Sequence, residues 1–269
     1  MAGHPSLLTE LRLGPGDCVA LVGAGGKTTL AVALWQDAHR AGLAAILTTT
    51  THIQEPIVRP GETLLVGEPV DLAPKMAAAL GRDERVFMAA ARTDLAVEEH
   101  LLPGRFRQRK LQGLDPAEVD ALAAGQPRAL FVVEADGARH RLLKAPAHYE
   151  PQTPLGATRL LPMACADVVG RPLEAPWIHR PKLLAALLDV PLGAALTPSM
   201  VAAALAHRQG GLKDAPAGAA VFAVLTLLQP ESLAAARAVA RLLLEGQQVE
   251  AVLLVALLPT LRLVEAAHP

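Results

Sequence analysis

Residues 21–34 read LVGAGGKTTLAVAL: three glycines, a lysine and two threonines set between an apolar run and a helical run. Gly23, Ala24, Gly25, Gly26, Lys27, Thr28 and Thr29 have the types and spacing to hold a phosphate chain. Glycines permit the backbone conformations in which successive N–H groups converge on one anion. A helix beginning near Lys27 aims its positive end at the same point. Lys27 is placed to reach β- and γ-phosphates, and the Thr28 hydroxyl to bind Mg²⁺. The strict pattern G-x-x-x-x-G-K-[ST] needs a glycine at position 21, where Leu21 stands. The loop is therefore a shortened G-x-x-G-K-T-T form. A plain strand-to-helix turn gives no reason for Lys, Thr and Thr to follow in that order, so the stretch reads as a phosphate cradle.

Two further stretches carry chemistry of the same kind. LTTTTHI (47–53) puts four threonines at the end of an apolar run. Ligands of open α/β sheets bind outside the carboxyl ends of the strands, so Thr49, Thr50 and Thr51 are candidates to touch Mg²⁺, a γ-phosphate or a second substrate. ALFVVEADGA (129–138) is an apolar run that ends in two carboxylates. An acidic residue at such a strand end holds Mg²⁺ in nucleotide hydrolases. Glu134 and Asp136 share one face of an extended chain, and Gly137 lets the backbone approach a phosphate. The catalytic candidates are thus Lys27, Glu134 and Asp136, and the metal candidates Thr28, Glu134 and Asp136. Arg139, Arg141 and Lys144 follow closely, as cations that stabilise transition-state charge or as a surface cluster balanced by Glu150. His148, His179 and Cys165 match no metal-ligand spacing.

These residues need a sheet to position them, and the rest of the chain supplies its pattern. Runs at 17–22, 43–48, 86–90, 129–134, 219–226 and 250–256 are nearly continuously apolar, as strands covered on both faces require. Helical spacing over 27–41, 115–124, 181–188, 198–207 and 231–245 lies between them; Asp115 reads as an N-cap and Pro116 as the first helical residue. The alternation predicts a three-layer α/β fold of P-loop NTPase type, mostly parallel, with helices on both faces. It is read as one domain over 1–269, interrupted at about 135–165 by a functional loop containing four prolines. Net charge is −1 and aromatics are 3% of the chain, so neither electrostatics nor stacking favours nucleic acid; the basic RFRQRK (105–110) is read as solvated surface. The longest apolar windows, 219–228 and 251–258, are far shorter than the ~20 residues of a membrane span. The N-terminus lacks the pattern of a signal peptide, and two cysteines make no disulfide framework. A cytoplasmic protein follows from these readings.

Taken in order, VGAGGKTTL, LTTTTHI, RKLQGLDPAEVDAL, VVEADGARHRLLKAPAHYEP, IHRP, LTP and RQGGLKDAP resemble the YqeC family, described as selenium-dependent hydroxylase accessory or selenium cofactor biosynthesis proteins. The resemblance spans about 17–216. It implies a P-loop NTPase fold and a role in maturing molybdenum hydroxylases that carry a labile selenium, with such a hydroxylase or its cofactor-insertion machinery as partner. By matching, Gly23 to Thr29 become the phosphate loop, Thr49 to Thr51 the second element and Glu134, Asp136 and Gly137 the third. Lys144, His179 and Arg180 become family-type positions without an assigned role. Relatives tend to carry an N-K-x-D-like stretch after the late strand; here Thr226 stands for Asn and Gln229 for Asp. Without that aspartate ATP and GTP are equal candidates, bound with Mg²⁺. The enzyme reading is an NTPase. Its alternatives are a small-molecule kinase or a ligase, since the short loop also resembles that of Mur-type ligases, and a non-hydrolysing carrier of nucleotide or molybdenum cofactor. Many P-loop proteins of this size pair face to face, which makes a homodimer one candidate assembly, although the sequence shows no dimer seam.

Overall fold

A computed structural model of the chain describes residues 6–93 and 109–269. Of RFRQRK, only Arg109 and Lys110 fall within the described residues. Among the described residues the main sheet has nine strands: β1 (Cys18–Gly23), β2 (Ala45–Thr49), β3 (Glu62–Val66), β4 (Arg85–Ala89), β5 (Leu130–Glu134), β6 (Arg159–Cys165), β7 (Ala220–Leu227), β8 (Ala251–Ala256) and β9 (Arg262–Ala267). Their order is β9-β8-β7-β6-β1-β5-β2-β4-β3. Every neighbouring pair is parallel except β8 and β9. This is the predicted α/β architecture, mostly parallel with helices on both faces.

Among the described residues six helices of eight or more residues pack on the sheet: α1 (Lys27–Arg40), α2 (Pro69–Gly81), α3 (Pro116–Ala124), α4 (Pro181–Leu188), α5 (Pro198–Ala206) and α6 (Leu233–Glu245). Side chains of a strand alternate between faces, and the core divides accordingly. Val19 and Leu21 of β1 join Leu30, Leu34 and Trp35 of α1 on one face. Ala20 and Val22 join α2 and α3 through Met76 and Val119 on the other. On that second face, beyond β6, Leu184, Val201 and Val239 of α4, α5 and α6 cover Ala223 and Leu225 of β7. Asp115 caps α3 as its sequence indicates, with Glu118 completing a reciprocal capping box.

The segment read as a loop contains a central strand. Residues 159–165 form β6, which lies between β1 and β7. Proline argues against a central strand because it lacks the N–H that a ladder needs, and Pro162 is what obscured this one. The chain accommodates it with a gap. β6 pairs with β1 without interruption through Val22↔Pro162. Its pairing with β7 passes from Leu160↔Val221 directly to Met163↔Val224. The structure also adds β3, α2 and the antiparallel edge strand β9, together with two small sheets. One joins Leu143–Lys144 to Ile178–His179; the other joins His52–Gln54, Lys110–Gln112 and Ala91–Thr93.

The order of strands makes a switch point at β1. From β1 the chain passes to β2, leaving a place that β5 later fills, and then crosses to β6 on the opposite side. The loop after β1 therefore opens into the crevice where the connections diverge, the usual ligand position in such sheets. Phe131 fills the layer beneath it and is 1% exposed. We expect Phe131→Ala to lower the stability by about 3–5 kcal/mol, the cost of an aromatic cavity in a core that cannot collapse, measured as a shift of the urea midpoint at unchanged slope.

Candidate phosphate-binding site

β1 ends at Gly23, and Gly23, Gly25 and Gly26 have φ of 94°, 83° and 97°, the left-handed region open to glycine. The loop also lies too close to β6 for side chains. A Cβ on Gly23 would stand 2.4 Å from the Met163 carbonyl oxygen, and one on Gly25 2.4 Å from the Cys165 nitrogen. Three segments fasten it. The Ala24 N–H donates to Met163 O (3.0 Å), the Gly25 N–H donates to Arg141 O (3.1 Å), and Gly25 O accepts from the Thr226 hydroxyl (2.6 Å). Beyond these points no hydrogen bond from the amides of Gly26, Lys27, Thr28 or Thr29 exists among the described residues. Four donors at the start of a fourteen-residue helix thus converge without an acceptor. The side chains of Thr28 and Thr29 are exposed beside them.

Behind the loop lies a buried ionic cluster. The Lys27 ammonium donates to Gly23 O (2.6 Å) and stands 3.1 Å from Asp136 Oδ1. Asp136 Oδ2 accepts the Gly23 N–H (2.9 Å) and faces the Lys144 ammonium at 3.0 Å. Lys144 also donates to Gly137 O (2.7 Å) and Glu150 Oε2 (2.8 Å). Arg180 grips both oxygens of Glu150, at 2.6 and 3.1 Å. Lys213 donates to the carbonyls of Ala147 (3.2 Å), His148 (2.9 Å) and Glu150, closing the turn that carries this carboxylate. Lys27, Lys144, Glu134, Asp136 and Glu150 are all buried. Single charges at these depths would be costly, and their mutual pairing is what permits them.

Glu134 stands on the other side of the helix terminus and accepts the Thr28 hydroxyl at 2.7 Å. Burial raises the pKa of its carboxyl above the ordinary value, against the opposing pull of Lys27 and the Thr28 hydrogen bond. Burial would also raise Glu150, but the hydrogen bonds from Arg180 and Lys144 prevail and hold it at about 2. His179 is pushed down to about 4, first by burial and then by Arg180 and Lys144.

The threonine tract sorts into separate roles. Thr48 donates to Met88 O (2.9 Å), Thr49 to Glu134 O (2.9 Å) and Thr50 to Gln152 O (2.6 Å), so these hydroxyls knit β2 to its surroundings. Thr51 faces Gly137, with 3.8 Å between its hydroxyl and the position of a Cβ there; its hydroxyl has no hydrogen bond among the described residues. The tract turns against Gly113, where a Cβ would meet Thr49 O at 2.4 Å and whose N–H donates to Thr51 O (2.6 Å). Arg139 is exposed, and Arg141 reaches the loop through its carbonyl. Gln229 is exposed at the end of β7, and Thr226 is fully buried with its hydroxyl on the glycine loop.

His148 stacks edge-on with Tyr149, and the buried Cys165 thiol donates to Asp167. Both cysteines are free, and burial pushes each thiol up to about 12. Reasoning from sequence missed Gly113, Glu150 as an anchor, and Lys213. Their only signal was membership of the quoted stretches RKLQG, KAPAHYEP and RQGGLKDAP.

Comparison with known proteins agrees with this picture at the level of family. The family model described as YqeC protein matches residues 19–182. The chain is 28% identical over 200 residues to the Uncharacterized protein YqeC of Escherichia coli (strain K12), covering 74% of this chain and 72% of that protein. No solved structure matches. Among the described residues no helix is long and apolar enough to cross a membrane.

Two groups of the site, His179 and Glu150, each make the stability of the fold fall with falling pH in a window of their own. The folded pKa of His179 lies below its ordinary 6.5, so the unfolded chain takes the proton first and stability falls as pH drops from about 6.5 to about 4. Glu150 acts with the same sign between its ordinary 4.5 and about 2. His179→Asn is expected to flatten the first window and Glu150→Gln only the second, read from thermal midpoints across pH. Thr226→Val, which leaves Gly25 O without its donor, is expected to cost about 1–3 kcal/mol, with Thr226→Ser restoring most of it in the same denaturation assay.

Proposed function

Because the chain belongs to the YqeC family, we propose, from that premise, that it is a Mg²⁺-dependent nucleotide-binding protein. In this reading it is an NTPase that assists maturation of the cofactor of a selenium-dependent molybdenum hydroxylase. The observation that carries the nucleotide reading is the set of four unpartnered amides at Gly26–Thr29, flanked by Lys27 and Thr28. Such a terminus selects an anion, and a chain of phosphates spans it. An ammonium has three N–H groups. That of Lys27 donates to Gly23 O and faces Asp136 through charge, a contact that it can exchange for a phosphate oxygen.

The two carboxylates divide the work. Asp136 is already bound by two ammonium groups and an amide and has little charge left for a dication. Glu134 is paired only with the Thr28 hydroxyl. Thr28 and Glu134 are therefore the residues that would hold Mg²⁺, whose chemistry when bound is to neutralise charge on the β- and γ-phosphate oxygens. Asp136 orients Lys27, and Thr51 and Gly137 border the γ-phosphate end. Since Thr226 is spent on Gly25, base selection falls to the exposed Gln229 and its surroundings, and ATP and GTP are both candidate substrates. The maturation role, and a molybdenum hydroxylase or its insertion machinery as partner, rest on the family resemblance alone.

Calorimetric titration with ATP and GTP, with and without Mg²⁺, tests this. Wild type should bind one or both in a Mg²⁺-dependent manner. Lys27→Ala should weaken binding by about 2 kcal/mol, roughly thirtyfold, the contribution of a charged hydrogen bond. Glu134→Gln should bind nucleotide but lose the Mg²⁺ dependence and the turnover. Unchanged affinity in a folded Lys27→Ala protein, or no binding by wild type, would end the cradle reading.

A further inference from the structure

Lys144 looks at first like a second phosphate cation, since it lies beside Asp136 at the end of β5. Its hydrogen bonds say otherwise. Its ammonium donates to Gly137 O and Glu150 Oε2 and pairs with Asp136 Oδ2, so it has three partners, and its side chain is 1% exposed. Lys27 has fewer partners. It donates to Gly23 O and pairs ionically with Asp136 Oδ1, an oxygen with no hydrogen-bond partner. The carboxylate thus takes a hydrogen bond from the Gly23 N–H at Oδ2 and meets both lysines through charge, Lys144 at Oδ2 and Lys27 at Oδ1.

We propose that Lys144 is a positioning residue for Lys27. It never touches the phosphate; by sharing the Asp136 carboxylate it fixes that group against Gly23 and keeps Asp136 from sequestering the Lys27 ammonium. Two cations dividing one anion each hold it more loosely than one would, so Lys27 remains free to exchange Asp136 for a phosphate oxygen. Glu150, Arg180 and Lys213 belong to the same device. Glu150 anchors Lys144, Arg180 neutralises Glu150 from the solvent side, and Lys213 ties down the 147–150 turn. Lys213 reaches that turn because Gly210 and Gly211 pass close over the carbonyls of Ala204 and Leu205, where a Cβ would stand at 2.3 Å from each oxygen. The inference rests on the phosphate-cradle reading for its effect on affinity, but not for the geometry it describes.

The test combines affinity with a readout that needs no nucleotide. With Asp136 intact, Lys144→Gln should weaken triphosphate binding about tenfold, within the range for members of one charge network. In an Asp136→Asn background the same substitution should change affinity less than about twofold, because the group through which Lys144 acts has lost its charge. Equal losses in both backgrounds would mean that Lys144 contacts the phosphate itself and would overturn the proposal. In the nucleotide-free protein, amide-resolved hydrogen exchange at Gly23 should quicken about tenfold in Lys144→Gln, since Asp136 Oδ2 no longer has its second anchor; unchanged exchange overturns the proposal too. Should Lys144→Gln not fold, Lys144→Met, which places no polar group in the buried position, is read in the same two assays. If wild type binds no nucleotide, the function proposed above fails, and Gly23 exchange alone decides this inference.

Discussion

The carboxylate of Asp136 is the point on which the site depends. It lies at 2% exposure between two lysines and the first amide of the glycine loop. A negative charge so deep is tolerable only with its partners in place, and each partner is fixed for the same reason. Lys27 comes from the start of α1, Lys144 from the short strand at 143–144, and Gly23 from the end of β1. One anion therefore holds three parts of the chain in register at the mouth of the sheet. Breaking any one contact exposes the others to an unbalanced charge, so the arrangement is cooperative.

The glycine loop is defined as much by its neighbours as by its own sequence. β6 supplies the wall against which Gly23 and Gly25 fit, and a carbonyl for the Ala24 amide. Arg141 and Thr226 take the two backbone groups of Gly25. The amides of Gly23, Ala24 and Gly25 are spent on the protein, while those of Gly26 to Thr29 have no partner among the described residues. That division explains how a loop shorter than the strict pattern still presents a coherent set of donors.

Much of this was legible in the sequence, for physical reasons that can be named. β1, β2, β5, β7 and β8 are fully covered strands, and coverage forces the continuous apolar runs by which they were recognised. The glycine loop, Glu134 and Asp136 were found because each sits just past such a run. β6 was not, because Pro162 removes one ladder hydrogen bond and imitates a loop. β3 is only partly buried along its length, so its pattern is weak. The roles of Glu150, Arg180 and Lys213 depend on contacts between segments 30 to 66 residues apart, which local pattern does not reveal. The division of labour between Thr49, Thr50 and Thr51 was equally hidden, since four like residues in succession do not show which hydroxyl the backbone will claim.

The fastening of Gly25 by Thr226, 201 residues further along the chain, has a consequence for synthesis. The glycine loop is synthesised before the elements that hold it: its wall arrives with β6 and its hydroxyl clamp with β7. Contacts of such separation form late. An emerging chain that has made only α1 and β2 owns the glycines and the lysine but not the geometry that holds them. The fastened geometry of the loop is thus completed only once Thr226 has been joined, so the loop is finished long after its own residues are made.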